Sequence, residues 1–206
     1  MIDWDYEKSF EGSLIGVDEV GRGPWSGPVV AGAVWIDPIK INLISKKLND
    51  SKKLSLSLRE EVFSTLYDAA IFSVGASTSK EIDKFGIIKA TWLAMEKAIC
   101  KTLFKIPVKI ETILVDGNLK PNFRNLSFLK IKTIKFGDSI SPSIAAASVV
   151  AKIHRDKEMV ELNLEHPGYD WDKNKGYGTK NHKKSLVKLG PTQEHRMTFK
   201  PMKFFI

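Results

Sequence analysis

Asp18 and Glu19 are two adjacent acids in a segment that otherwise has the composition of a buried β-strand. The segment LIGVDEVGRGPWSGPVVAGAVWI covers residues 14–36 and is apolar on both sides of the acids. A buried carboxylate is costly unless it is paired, protonated or bound to a metal, and neither acid has an obvious basic partner in its own strand. We therefore predict a chemical role for the pair. Acids that cap helices or form ion pairs are the alternative.

The two acids pose a geometric problem, because neighbouring side chains of a regular strand point to opposite faces. Both can serve one site only if the strand is distorted there, or if one acid acts from the rim. Gly21 and Gly23 follow closely and make a distortion feasible, since glycine adopts backbone conformations that are closed to other residues.

Asp116 and Asp138 are two further acids, and they stand where regular elements are predicted to end or begin. Asp116 closes the apolar run IETILVD, and Asp138 precedes a long alanine-rich helix. Functional groups of α/β sheets collect at strand ends, so these acids could converge with Asp18 and Glu19. The alternatives are an ordinary Asp-Gly turn for Asp116 and a helix cap for Asp138.

Four converging carboxylates would form a metal site. Ligation by oxygen alone suits Mg²⁺ or Mn²⁺ rather than zinc, and four negative charges would balance two divalent ions. Two such ions about 3.5–4 Å apart promote the hydrolysis of phosphodiesters. The pattern therefore predicts a cofactor of Mg²⁺ or Mn²⁺.

Gly21, Arg22 and Gly23 form a Gly-Arg-Gly sequence directly after the first acids. Glycines let the backbone approach a ligand closely and expose amide donors, and an arginine can hold a phosphate with two hydrogen bonds. A plain connection between strands is the alternative. The sequence has no Walker motif, so a nucleotide-binding phosphate loop of that kind is excluded.

The elements that must position these residues are predicted to form a mixed β-sheet flanked by α-helices. Strands are predicted at 13–19, 28–36, 71–77, 110–116 and 129–136, the first three in hairpins. Helices are predicted from Ser57 to about Ala70, at 79–82, at 87–104 and from Pro142 to about residue 164. Residues 168–185 are predicted to be a polar, basic loop, with a short helical C-terminal segment after it. The predicted fold class is α/β.

The bulk composition narrows the class of protein. The chain has 206 residues, is 43% hydrophobic and shows no linker or repeat, so one domain over residues 1–206 is expected. The single cysteine excludes an internal disulfide and a cysteine-based zinc cluster. The net charge of +8 favours nucleic acid as a partner, although a lysine-rich composition can also reflect the host's base composition. The acidic N-terminus and the short apolar runs predict a soluble, cytoplasmic protein without membrane contact.

Five motifs together resemble the ribonuclease HII family. They are GVDEVGRGPWSGPVVAGAV, NDSKKLS, ILVDGN, FGDSISPSIAAASVVAKIHRD and KGYGTKNH, and they follow the family's order over residues 16–182. The resemblance implies an RNase H-like fold and endonucleolytic cleavage of RNA hybridised to DNA. It also implies cleavage on the 5′ side of a single ribonucleotide in duplex DNA, with a 3′-hydroxyl and a 5′-phosphate as products. Such an enzyme would act in ribonucleotide excision repair.

The resemblance assigns roles to individual residues. Catalysis and metal binding fall to the four acids, Asp18, Glu19, Asp116 and Asp138. Substrate binding falls to Gly21, Arg22 and Gly23, which match the segment that grips the backbone around the 2′-hydroxyl. Tyr177 matches the tyrosine that stacks at the ribo–deoxyribo junction, and Lys52 would contact a phosphate. The implied partners are RNA/DNA hybrid and ribonucleotide-containing duplex DNA.

Two features separate this chain from related patterns. The sister family, ribonuclease HIII, usually lacks the arginine of Gly-Arg-Gly and carries an extra N-terminal domain, so Arg22 and the short N-terminus favour HII. Trp25-Ser26 stands where ribonuclease HII usually has a smaller apolar pair. A tryptophan there would alter the shape of the gripping segment without touching the acids.

Two other functions remain open on the sequence alone. One is a nuclease for RNA/DNA hybrids that is indifferent to single ribonucleotides, and the other is a basic nucleic-acid-binding module whose acids are structural. The tail TFKPMKFFI could dock weakly on a sliding clamp, although such tails more often pack on their own core. A monomer is expected.

Overall fold

The computed structural model describes residues 4–44 and 46–205, and its centre is a mixed sheet of five strands. The strand order is β3-β2-β1-β4-β5. The strands are β1 Ser13–Val20, β2 Val29–Ile36, β3 Ala70–Ser77, β4 Ile110–Asp116 and β5 Lys130–Ile134. The α/β fold class and the mixed sheet predicted from the sequence are confirmed.

The first three strands are antiparallel neighbours, whereas β1, β4 and β5 run parallel to one another. The β1–β2 pair is a hairpin, as predicted. The β2–β3 pair is not, because residues 37–69 between these strands contain a whole helix. Parallel strands end at the same edge of a sheet, so the carboxyl ends of β1, β4 and β5 lie together.

Helices cover both faces of the sheet. They are α1 Asp5–Lys8, α2 Leu56–Ala69, α3 Ser79–Phe85, α4 Ile87–Leu103, α5 Pro142–Glu165, α6 Trp171–Asn174 and α7 Lys180–Leu189. The side chains of α4 pack on one face and those of α2 and α5 on the other, forming two apolar cores. Within the part of the chain that the structure describes, each helix is too short or too polar to cross a bilayer.

The structure corrects two local predictions. Helix α2 begins at Leu56 and is capped by Ser55, whose hydroxyl accepts the Leu58 N–H, so Ser57 is inside the helix rather than its cap. The predicted loop at 168–185 contains α6 and the start of α7. This segment looks polar because each short helix buries little, chiefly Trp171 in α6 and His182 in α7.

Helix α5 lies unusually close to the sheet because glycines face it. A Cβ atom on Gly16 would lie 2.2 Å from the Ser143 carbonyl carbon, and one on Gly32 would lie 2.5 Å from the Ala147 oxygen. The residue opposite Gly32 across the β1–β2 pair is Asp18. The close approach therefore brings α5 against the strand that carries the first acid.

We predict that Gly32→Ala lowers the free energy of unfolding by about 1–3 kcal/mol, because α5 must shift to admit the methyl group. Urea denaturation measures the change. Ser57→Ala at an exposed position of α2 is the control and should change stability by less than about 0.5 kcal/mol. An equal response of the two variants would contradict the close packing.

Candidate active site at the carboxyl ends of the parallel strands

Three of the four predicted acids lie at one edge of the sheet. Asp18 lies near the end of β1, Asp116 ends β4, and Asp138 lies in the 3₁₀ turn Gly137–Ser139 after β5. The β1 and β4 ends are adjacent, since Val17 pairs with Val115. The topology thus brings together acids that are distant in the chain, since Asp18 and Asp138 are 120 positions apart.

Asp18 is a buried acid, with 3% of its surface exposed. Its Oδ1 accepts the Glu19 backbone N–H at 2.7 Å. Burial raises the pKa of Asp18 well above its ordinary value, and the nearby charges of Glu19 and Asp116 add to this, while a hydrogen bond with Ser148 of α5 opposes it. A buried carboxyl among other carboxyls is an arrangement that a cation would stabilise.

Glu19 lies at the rim of the acidic cluster. The pairing of β1 with β2 is regular through Asp18 and Glu19, so the two side chains point to opposite faces of the sheet. Glu19 lines a small cleft on the α4 side, and its carboxylate pairs with Arg22 at 3.2 Å. Burial raises the pKa of Glu19, Arg22 lowers it, and Asp116 raises it, with a net upward shift.

Asp116 and Asp138 are linked through the turn between them. The Gly137 N–H donates to Asp116 Oδ1 at 2.7 Å, which ties the end of β4 to the turn that carries Asp138. Asp138 is 6% exposed, and its pKa is raised by burial and by the charges of Asp50 and Asp116. Phe136, just before this turn, has a φ of 58°, which is rare for an aromatic residue.

The loop that carries Lys52 adds Asp50, an acid that the sequence reasoning did not select. Asp50 caps the 3₁₀ turn Ser51–Lys53 by accepting the Lys52 N–H, and it raises the pKa of Asp138. The Ser51 and Ser148 hydroxyls are hydrogen-bonded at 2.7 Å, which fixes the loop to α5 beside Asp18. Asp50 is the acid of the NDSKKLS motif, and its place in that motif is the feature of the sequence that could have identified it.

Lys52 is exposed and faces the acids. Burial alone would lower the pKa of Lys52, but the carboxylates of Asp18, Asp50, Asp138 and Asp116 outweigh it and raise the pKa. Lys52 is therefore a stable cation at the edge of an acidic cluster, where it can contact an anionic ligand.

The acids fit a divalent cation in donor type and charge. All their donor atoms are oxygens. Burial is the main cause that raises the pKa values of Asp18, Glu19 and Asp138, and the charge of Asp116 adds to it in each. In the described ranges, however, no three histidine, cysteine, aspartate or glutamate side chains are grouped closely enough to hold a metal ion. The carboxylates repel one another. Glu19 accepts a hydrogen bond from Arg22, and Asp116 accepts one from the Gly137 N–H.

The segment of residues 21–27, here named the grip loop, is held from inside by Arg196. This side chain is fully buried. Its guanidinium makes five hydrogen bonds of 2.6–3.1 Å to backbone carbonyl oxygens, those of Gly21, Arg22, Pro24 and Gly27. Burial lowers the pKa of Arg196 to about 9, and the charge of Arg155 contributes, so the group stays charged at neutral pH.

Arg155 of α5 is a second fully buried guanidinium beneath the same loop. It donates to the carbonyl oxygens of Ser26, Pro28 and Lys175 at 2.9–3.3 Å. Among the described residues neither arginine forms an ion pair within 4.0 Å. The sequence reasoning missed both, because their segments, AKIHRD and EHRMTF, are polar and give no sign of burial.

Because the carbonyl groups of the grip loop point inward to the arginines, some of its N–H groups point outward. In the described part of the chain, the N–H groups of Arg22 and Gly23 have no recorded hydrogen-bond partner, and both residues are exposed. Gly21 must be glycine, because its φ is +94° and a Cβ would lie 2.1 Å from Arg155 Nε. The loop therefore presents amide donors and the Arg22 side chain next to the acids.

Tyr177 lies beside the grip loop and is 49% exposed. A Cβ on Gly23 would lie 3.5 Å from the Tyr177 ring. We call residues 175–179 the Tyr177 loop. The Trp25 N–H donates to the Gly176 carbonyl at 2.8 Å, and the Trp25 indole packs so tightly on Gly178 that a Cβ there would lie 2.1 Å away. Trp25 thus joins the two loops and does not touch the acids.

A chain of neutral histidines holds the Tyr177 loop from behind. His182 Nδ1 lies 3.0 Å from the Tyr177 carbonyl oxygen, and its Nε2 lies 3.1 Å from His195 Nε2 and 3.2 Å from Trp171 Nε1. Burial and the His182 charge lower the pKa of His195 to about 4. Both rings therefore stay neutral near pH 7 and serve as hydrogen-bonding struts.

Comparison with known proteins agrees with this arrangement. The family model described as Ribonuclease HII matches residues 15–202. A ribonuclease HII of Wolbachia sp. subsp. Drosophila simulans is 42% identical over 200 residues, covering 97% of this chain and 96% of that protein. A ribonuclease HII of Zymomonas mobilis is 43% identical over 203 residues, covering 98% of this chain and 91% of that protein.

Solved structures show the same fold. Ribonuclease H2 from Pyrococcus horikoshii superposes with a TM-score of 0.73 at 24% identity, over 94% of this chain and 97% of that one. Bst-RNase HIII in complex with Mn²⁺ gives 0.73 at 21% identity, over 93% and 68%. RNase HII in the PCNA:RNase HII complex from Archaeoglobus fulgidus gives 0.68 at 22% identity, over 92% and 96%. The RNase H-like fold expected from the motifs is confirmed.

We predict that Arg196→Met lowers the free energy of unfolding by about 3 kcal/mol, because it leaves several carbonyl groups buried without donors. Arg196→Lys keeps the charge but has too few donors for all the carbonyls, so it should also weaken binding of an RNA/DNA hybrid by about tenfold. Urea denaturation and fluorescence anisotropy measure the two effects.

Lys188→Met removes an exposed cation from α7 and is the control for both Arg196 variants. It should leave stability unchanged. If Arg196→Met were as stable as this control, the carbonyl contacts would not be the support of the grip loop.

Proposed function

Because the chain belongs to the ribonuclease HII family, whose members cleave the RNA of RNA/DNA hybrids, we propose that it also cleaves single ribonucleotides embedded in duplex DNA. Cleavage would occur on the 5′ side of the ribonucleotide and leave a 3′-hydroxyl and a 5′-phosphate. The observation that carries this proposal is the position of the grip loop. Its Arg22, whose N–H has no partner among the described residues, lines the same small cleft as Glu19 and Asp116.

Asp18 and Asp116 would hold two divalent cations most centrally, and Glu19 and Asp138 would complete the set. When bound, Mg²⁺ or Mn²⁺ ions supply Lewis-acid stabilisation of the charge that develops on the phosphate during hydrolysis. Asp18 and Asp138 are buried close to Asp116, and their oxygen donors suit either ion. Asp138, held in its own turn, would act later, at product release or at the second ion.

The protein's own cations would position the substrate. Lys52 faces the acids from the 49–53 loop and is placed to contact a phosphate. Arg22 is partly exposed and already neutralises Glu19, so its guanidinium lies where a backbone phosphate would meet the rim of the site. Such contacts bind nucleic acid without preference for base sequence.

The grip loop and Tyr177 would together recognise the ribonucleotide. The 2′-hydroxyl distinguishes RNA from DNA at a given nucleotide, and the unpaired amides of Arg22 and Gly23 can bond it only at close range. Glycine at position 23 leaves that space open on the side of Tyr177. The half-exposed Tyr177 ring supplies a flat face for the neighbouring sugar or base.

The two alternative functions receive less support from the site. A purely binding module would gain nothing from acids clustered at the centre of a basic surface, because they repel phosphates. A hybrid nuclease indifferent to single ribonucleotides would not need amide donors held in place by two buried arginines.

The biological setting is part of the same proposal. We expect a monomer that acts in the cytoplasm in ribonucleotide excision repair. A weak contact with a sliding clamp through the C-terminal tail is supported by Phe204, which is 83% exposed, while Met202 is fully buried and Phe205 packs on the core. Ile206 lies outside the described residues.

We predict that Asp18→Asn reduces cleavage in Mg²⁺ by more than about 100-fold, because it removes a charged donor from the centre of the acidic cluster. Substrate binding should be retained, since the side chain keeps its size. Cleavage of a labelled RNA/DNA hybrid and anisotropy of the same duplex are the measurements. Asp68→Asn, the same change at an exposed position of α2, is the control. Full Mg²⁺-dependent activity of Asp18→Asn would refute the site.

We predict that Arg22→Ala lowers kcat/KM on duplex DNA with one ribonucleotide by about 10–100-fold, the worth of one charge-assisted hydrogen bond. The decrease in kcat/KM should be smaller on a long hybrid, because the enzyme can bind it at many positions along the RNA strand. Wild-type protein and an all-DNA duplex are the references. Every assay is run at saturating metal, so that losing the Arg22–Glu19 ion pair does not change the rate through weaker metal binding. An unchanged rate and junction preference would show that Arg22 does not grip the ribonucleotide.

A further inference from the structure

A cavity lies along α4, on the side of the segment 118–128. Its volume is about 640 Å³, comparable with sites for small ligands. We call it the α4 groove. Its walls include Lys89, Trp92, Glu96, Cys100, Arg124 and Asn125.

The α4 groove adjoins the candidate active site. Trp92 lines this groove and also the small cleft that contains Glu19, Arg22 and Asp116. From Trp92 the groove follows α4 to Cys100, about 12 Å along the helix axis at 1.5 Å per residue. A strand bound at the acids would therefore reach the groove past the Trp92 side chain.

The walls of the groove combine cations with an aromatic platform. Lys89 and Arg124 are exposed, and neither forms an ion pair within 4.0 Å among the described residues. Trp92 is half-buried and packs against the core below it, which makes it a rigid apolar surface.

The acidic residue of the groove is already engaged by the protein. Glu96 Oε1 accepts the Asn125 backbone N–H at 2.7 Å and its side-chain amide at 3.0 Å. Lys97, a further lining residue, is held by Glu81 and the Ala76 carbonyl. Glu96 keeps its negative charge, but Lys89 and Arg124 outnumber it, so the groove carries a net positive charge.

We propose that the α4 groove binds an unpaired nucleic-acid strand that continues from the substrate at the acids, an inference that rests on the proposed function. Two cations beside an aromatic face are the combination that binds single strands, through phosphate contacts and base stacking. A duplex is a stiff rod over a few base pairs, whereas the groove is bounded by α4 and the segment 118–128. A single strand has the required flexibility, and the volume admits one or two nucleotides.

The test uses duplexes with one embedded ribonucleotide close to one end. One duplex is blunt, and each of the others carries a single-stranded tail of six nucleotides at one 3′ or one 5′ end. Affinity is measured by anisotropy and cleavage by product analysis. Wild-type protein should bind the tailed duplex of one polarity about tenfold more tightly than the blunt one.

The double variant Lys89→Gln/Arg124→Gln should lose this advantage and bind the blunt duplex within twofold of wild type. Its slope of log affinity against log salt on the tailed duplex should fall by about 1.4, for two lost contacts to a single strand. Trp92→Leu, which keeps apolar bulk, should also reduce the advantage of the tail. Lys109→Gln/Lys130→Gln removes the same charge at the amino ends of β4 and β5 and should retain it.

The outcomes separate the two proposals. Equal binding of tailed and blunt duplexes by wild type, or equal losses on both in the double variant, would overturn the groove inference while leaving cleavage intact. Absence of cleavage of every duplex by wild type would overturn the proposed function. The anisotropy of the tailed duplex would then still decide whether the groove holds a strand.

Discussion

Two buried guanidinium groups, those of Arg155 and Arg196, hold the candidate site together. A buried charge is costly unless dipoles replace its water, and here backbone carbonyls of the grip loop provide those dipoles. The arrangement binds α5, the C-terminal segment and the first motif to one another. It also sets the direction of the loop, because carbonyls that point to the arginines leave their amides on the other side. The outward amides are a consequence of burying the charges.

The second organising constraint is the balance of charge at the sheet edge. The chain carries a net charge of +8, yet its acids collect where parallel strands end. Lys52 and Arg22 stand at the margin of these acids, and Asp50 joins them from the same loop as Lys52. The central carboxylates can bind cations, and the basic residues around them can bind phosphates. Phosphodiester hydrolysis needs this arrangement of charges.

Sequence reasoning selected the four acids and the Gly-Arg-Gly segment because acids in apolar runs and glycines beside them are visible in the sequence, and the family resemblance added Tyr177. It left open how Glu19 could join Asp18, and the regular β1–β2 pairing places the Glu19 side chain on the opposite face. It did not find Ser148, Arg155 or Arg196. Each looks ordinary in its own segment, a serine in an alanine-rich helix or a basic residue in a basic chain, and each acts on atoms far away in sequence.

The sequence by itself determined the family, the α/β class and most strand positions, since these depend on local composition and on motifs. Only the tertiary structure decided which face Glu19 occupies, that Asp50 lies beside Asp138, and that residues 168–185 form helices around Trp171 and His182. Each of these depends on contacts between segments that are distant in the chain. The burial of Arg155 and Arg196 belongs with them, because a guanidinium is buried only where another segment offers its carbonyls.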